Sequence, residues 1–238
     1  MSVTNNSTLS NGTLNNRTLN NRDLSSSPRA LTPEQQLAAE YYQHQALLCQ
    51  WFATLLAAEL DQATVLAYMR GDAGPLLADL ALVEEVSSQV AQLRQAISTL
   101  SLLEQPQLEL AADFAGLFLS DARHSPAPYA SLYLDAKRFS GPSQARMQAR
   151  LKQMGMAIGE QLTEPADHLS IMLDYLSQSY VALAQRPTPA AEAEVAHFVR
   201  DELASWLPEW VSRAKNVDTA SAFYPALLGL ISAYFSYD

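Results

Sequence analysis

The residues best suited to chemistry in this 238-residue chain stand together in TEPADHLSIMLDYLS, where Glu164, Pro165, Asp167 and His168 fall within five positions. Two carboxylates and an imidazole this close could form a helix cap, half of a metal site, an acid–base pair or a docking point for another chain. Metal chemistry in a helical bundle takes two Glu-x-x-His pairs and two further glutamates from facing helices. One such pair occurs, Glu194 with His197, while Glu40–His44 and Glu164–His168 are spaced by four rather than three. One pair in an acidic, helix-rich sequence is near chance, so Glu194 and His197 are read as sharing a solvated face and no metal is expected. Phosphate chemistry has no foothold either. Neither G-x-x-x-x-G-K-[ST] nor G-x-G-x-x-G is present, and GDAG at 71–74 follows a helix rather than a strand. A nucleophilic serine would need a G-x-S-x-G elbow, which is absent. Neither a cofactor nor a catalytic residue is expected.

The capping alternative accounts for part of the cluster. Pro165 suits the first position of a helix, where its missing N–H costs nothing. Asp167 would then lie in the first turn, where a negative charge favours the positive end of the helix dipole. His168 is left over. A protonated imidazole is disfavoured by that same dipole, which hints at a further role.

The elements that position these residues are predicted to be helices. Ala and Leu number 37 each against 10 Val and 4 Ile, and only 8 glycines interrupt the chain. Ala and Leu lose least on entering a helix, whereas β-branched residues favour sheets. The fold class expected is all-α, a two-lobe bundle of about ten helices behind a disordered tail. Residues 1–30 form that tail, built on STLSN, GTLNN, RTLNN and RDLSS, with too little apolar surface to offset ordering. An N-terminal lobe is expected over 31–140, a linker or hinge over 141–163 around MGMAIGEQLTEP, and a C-terminal lobe over 164–238.

Within these bounds Thr32, Pro33 and Gln35 make a capping box for the first helix, and Asp61 caps the second, which stops at Gly71. Further helices are expected at about 75–81, 83–101, 106–119, 143–157, 165–185, 189–206, 208–216 and 219–236. SDARHSPAPYASLYLD, with Pro126 and Pro128, is expected to be a loop.

Charge narrows the partners. The net −10 divides into +2 over residues 1–29 and −12 over the rest, so the body repels phosphate backbones and nucleic acid is not an expected partner. Cys49 is the single cysteine and lies in apolar LLCQWF, which excludes an internal disulfide and suits a core position. No apolar run reaches the length of a membrane span, and the N-terminus lacks the apolar region of a secretory signal, so a cytoplasmic protein without membrane insertion is expected.

EPADHL, with LELAADFAGLFL, APYASLYLD and WLPEW, resembles the TorD family of cytoplasmic chaperones, the maturation factors of molybdenum-dependent reductases. The resemblance spans about residues 33–236, and its E-P-x-D-H motif occurs here without departure. It is strongest toward members dedicated to trimethylamine N-oxide reductase. It implies a helical, non-catalytic protein that binds the apo form of a molybdoenzyme client and its twin-arginine signal peptide until the cofactor is inserted. Carried over by motif, the peptide-binding surface comprises Glu164, Pro165, Asp167 and His168, Leu117 and Phe118 from GLFL, and Pro128, Tyr129 and Tyr133 from APYASLY. Leu117 and Phe118 fit a plain core role equally well. The acidic body suits a basic guest, and Asp167 is placed to take an arginine. The chain is expected to be a monomer or a domain-exchanged dimer. Two other classes fit the same helices, an interaction adaptor without chaperone activity and a metal-dependent helical enzyme.

Overall fold

A computed structural model of the chain describes residues 32–121, 125–136, 138–156 and 164–237. The expected tail over 1–30 and the last part of the expected linker, 157–163, lie outside the described residues. The described chain is all-α, with eleven α-helices: α1 (Pro33–Ala57), α2 (Gln62–Arg70), α3 (Gly74–Leu80), α4 (Glu84–Thr99), α5 (Pro106–Phe114), α6 (Ser131–Leu134), α7 (Pro142–Gln153), α8 (Leu169–Gln185), α9 (Pro189–His197), α10 (Leu207–Ala214) and α11 (Phe223–Tyr237). Two of them run on into π-helical turns, α5 into Ala115–Leu119 and α9 into Phe198–Ala204.

The helix starts follow local chemistry. Thr32 and Gln35 form the reciprocal capping box, Asp61 accepts from the Thr64 N–H, and Thr188 accepts from the Ala191 N–H. Gly71, at φ +91, ends α2 in the left-handed region that a residue without Cβ enters freely.

Two starts differ from the sequence expectation. α8 begins at Leu169 rather than 165, because Pro165–Asp167 turn back to pair with the segment before α6. α11 begins at Phe223 rather than 219, because the buried Asp113 carboxylate takes the N–H groups of Ala220 and Ser221 and holds that stretch in a loop. α6 stands inside the stretch expected to be a loop throughout.

Packing places α11 at the centre. Its sequence FYPALLGLISAYFSY carries no charge, and Leu227, Leu228, Leu230 and Ile231 have no exposed surface. A helix apolar on every side is stable only when surrounded. Phe52 of α1 meets Tyr234 and Phe235 edge-on, and Tyr224 lies against Phe114 and Phe118. α1 lies antiparallel along α8. Tyr42 near the start of α1 stacks on Tyr180 near the end of α8, and the Ser177 hydroxyl donates to the Ala46 carbonyl. Cys49 is wholly buried in this core. One hydrophobic cluster takes side chains from both sides of the 141–163 segment, from Ala46 to Phe235.

Candidate functional site

The site residues are drawn together by a short antiparallel pairing, not by a helix alone. In SPAPY, Pro126 and Pro128 hold the chain extended and remove two N–H donors, leaving carbonyls to do the pairing. The Leu169 N–H donates to the Pro128 carbonyl at 2.8 Å, and the Ala130 N–H donates to the Asp167 carbonyl at 3.0 Å. Tyr129 and His168 therefore face each other across a single bridge, their rings edge to face at 5.1 Å. Residues separated by almost forty positions become one corner of the surface.

His168 is the N-cap of α8. Its Nδ1 accepts from the Ser170 N–H at 3.2 Å and lies 2.7 Å from the Ser170 hydroxyl. A capping acceptor must be unprotonated, and burial pushes this imidazole down to about 4 despite the opposing pull of Glu164 and Asp167. The sequence objection to a histidine at a helix N-terminus assumed a cation. The structure holds a neutral acceptor, so the objection vanishes.

Asp167 also caps a helix, but not α8. Its Oδ2 accepts from the Ser131 N–H at 2.9 Å, at the start of α6, and the residue is 1% exposed. Its Oδ1 is buried with no hydrogen-bond partner among the described residues. A carboxylate so enclosed is turned toward the protein rather than toward solvent.

The outward face of the corner belongs to its neighbours. Glu164, Pro165, Tyr129 and Tyr133 are half-buried. The Tyr129 hydroxyl donates to Glu164 Oε2 at 2.5 Å, and burial together with that carboxylate pushes the phenol well above its ordinary range. Tyr133 stacks on Trp206 at 4.9 Å, donates to the Ala127 carbonyl and carries the Arg213 guanidinium over its ring at 4.5 Å. Burial raises its phenol too. Pro128 is buried beneath them.

Leu117 and Phe118 lie in the π-helical turn after α5 and point inward. Leu117 has no exposed surface, and Phe118 stacks on Trp210 and meets Phe114 and Tyr224 edge-on. In this arrangement they are core, and the corner reaches Phe118 through Trp210, whose Nε1–H donates to the Pro126 carbonyl at 2.7 Å.

Three participants escaped the sequence reading. Phe139, 53% exposed, stands edge-on to Tyr129 at 5.5 Å. Ser170 fixes the His168 ring, and Arg213 caps Tyr133. Ser170 could have been found from its i+2 relation to a capping residue, whereas Phe139 and Arg213 carry no local signal.

Other residues of chemical interest are engaged in structural pairs. Glu194 pairs with Arg150, and His197 pairs with Asp201. Among the described residues no group of His, Cys, Asp and Glu side chains converges as a metal site. No helix of the described residues is long and apolar enough to cross a membrane.

Comparisons with known proteins bear on this corner. The family model described as nitrate reductase delta subunit matches residues 79–212, the span that contains both halves of the pairing. The chain is 35% identical over 193 residues to the chaperone protein TorD of Vibrio vulnificus, covering 79% of this chain and 89% of that protein. It is 32% identical over 204 residues to the chaperone protein TorD of Photobacterium profundum, covering 83% and 94%. Among solved structures it is similar to a candidate redox enzyme maturation protein from Archaeoglobus fulgidus, at 16% identity and a TM-score of 0.46 over 89% of this chain and 99% of that one. With a family model across more than half its length and relatives aligned over most of theirs, the chain belongs to the nitrate reductase delta subunit family, among the TorD chaperones.

Proposed function

We propose that this chain is a cytoplasmic chaperone of a molybdenum-dependent reductase, with trimethylamine N-oxide reductase as client. It binds the cofactor-free enzyme and its twin-arginine signal peptide, and delays export until the molybdenum cofactor is in place. It performs no catalysis.

The observation that carries this reading is the corner itself. Tyr129, Tyr133 and Pro165 offer flat, partly apolar surface, Glu164 adds a carboxylate, and buried Asp167 and His168 hold the two strands of the corner in register. Such a rigid amphipathic face suits a peptide that begins basic and continues apolar. The site residues divide accordingly. Glu164, Pro165, Tyr129 and Tyr133 meet the guest. Asp167, His168 and Pro128 keep that face in shape, and Leu117 and Phe118 support it from the core.

On the same reading 141–163 joins the segments 31–140 and 164–238. Since α1 of one segment packs on α8 of the other, exchange of a segment between two copies would preserve these contacts in a dimer.

The test is capture of the client in two states. Tagged chain produced with trimethylamine N-oxide reductase should recover the enzyme from cells unable to make the molybdenum cofactor, and far less from cofactor-replete cells. Equal recovery from both would make the chain an adaptor, and recovery from neither would remove this client.

A further inference from the structure

A groove of about 500 Å3 opens beside the corner, between the end of α1, the turn into α2, the end of α7 and the first turns of α8. Ser170, the residue that fixes the His168 ring, is part of its wall. The floor is apolar, formed by Ala53, Leu60, Leu151 and Ile171, with Met156 at one side. Glu59, Asp61 and Asp174 line it as well, and no cationic side chain does.

Three features make this groove attractive to a cation. The 25-residue helix α1 ends here, with its negative pole and no basic residue in its last turn. The two helices whose positive ends border the groove, α2 and α8, are already capped by Asp61 and His168. Asp174 is partly buried on an apolar floor, and no hydrogen bond or ion pair engages it among the described residues. That burial raises its carboxyl from the ordinary value, because the charge is partly taken out of water.

We propose that this groove is the arginine-binding part of the peptide site, with Glu59 and Asp174 receiving guanidinium groups while the apolar floor and the Tyr129 corner hold the residues that follow. The proposal rests on the peptide-binding reading above and assigns it a second, separate surface. Asp61 is excluded from the pair because it is spent on the α2 cap. Arginine suits two spaced carboxylates better than lysine, because its planar donors can serve both oxygens of one or bridge the two. Another groove, about 840 Å3 between α4, α10 and α11, is lined by alanines, glutamines and Lys215 and by no carboxylate.

The test uses the full chain and a synthetic peptide with an arginine pair ahead of a leucine–alanine stretch, compared with the same peptide carrying glutamine at both positions. Binding is read by fluorescence anisotropy at low salt. Wild type should hold the arginine peptide at least about tenfold tighter than the glutamine peptide, the scale expected for partly desolvated charge pairs. Glu59→Gln with Asp174→Asn should erase that preference while leaving the affinity for the glutamine peptide unchanged, and Asp174→Glu should keep most of it. A thermal melt alongside identifies a variant that has lost its fold, in which case Glu59→Gln alone carries the comparison with about a threefold loss expected. If wild type prefers arginine and the double variant prefers it equally, the groove is not the site, while the peptide-binding reading stands. If wild type binds neither peptide, both fall together.

Discussion

His168 and Asp167 act from inside the protein, and each gives a measurable consequence. The folded state holds the imidazole near 4, against an unfolded value of about 6.5, so between these limits the unfolded chain binds a proton that the folded chain refuses. Stability from this group is therefore full above about pH 6.5 and is lost as pH falls toward 4. Between pH 7.5 and pH 5 the loss is about 2 kcal/mol. His168→Asn keeps a capping oxygen without a titrating group, so urea melts at the two pH values should show a difference smaller than wild type by about that amount. Asp167→Ala removes the α6 cap and a buried polar contact, and should cost about 1–3 kcal/mol of stability. Peptide affinity should fall only with the fold, so an Asp167→Ala protein with an intact melt and lost binding would return that carboxylate to the guest.

The element most dependent on ionic contacts is α7. Arg150 reaches from it to Glu194 on α9 and to Glu202 in the π-helical turn that follows, at 2.6 Å from the latter, while its guanidinium lies over Phe198. Arg150 and Glu202 are only 14% and 10% exposed, so this pair is worth more than a surface bridge. Arg150→Met should lower stability by roughly 2 kcal/mol or more, because it strands the Glu202 charge with only the longer Arg146 contact. Arg150→Met with Glu202→Leu should cost less than the single change, since no buried charge is left behind. Equal or greater cost for the double variant, measured by denaturant melts, would show that packing rather than charge docks α7. The start of α7 depends on a close approach. A Cβ at Gly141 would fall 2.3 Å from Asp135 Oδ2, the oxygen that accepts from the Ser143 N–H. Glycine is required there by space and not by its backbone angle.

Over the whole molecule the dominant property is charge. Residues 30–238 carry a net −12, while the described corner and groove present carboxylates to any approaching chain. Long-range attraction of this kind acts on encounter and is screened over about 8 Å at physiological ionic strength. Association of an arginine-bearing peptide should slow several-fold between low and physiological salt, with dissociation changing less. Stopped-flow rates that ignore salt would leave the apolar surfaces alone responsible for binding.

The sequence by itself determined the all-α class, because Ala and Leu dominate at helical spacing and because capping residues such as Thr32, Asp61 and Thr188 act within four positions. It also determined which residues belong to the family motif, since a motif is contiguous. It did not show where α8 starts or what Asp167 does, because both depend on residues 128–131, more than thirty residues upstream. Propensity allows a helix from Pro165, and only the pairing of Pro128–Ala130 with Asp167–Leu169 displaces it to Leu169. The protonation of His168 was likewise undecidable locally, since burial on the Tyr129 ring sets it. The groove at Asp174 joins the α1–α2 junction to α7 and α8, almost ninety residues further on, so tertiary structure alone assembled it: a concave surface is a relation between elements, and no single stretch of residues encodes one.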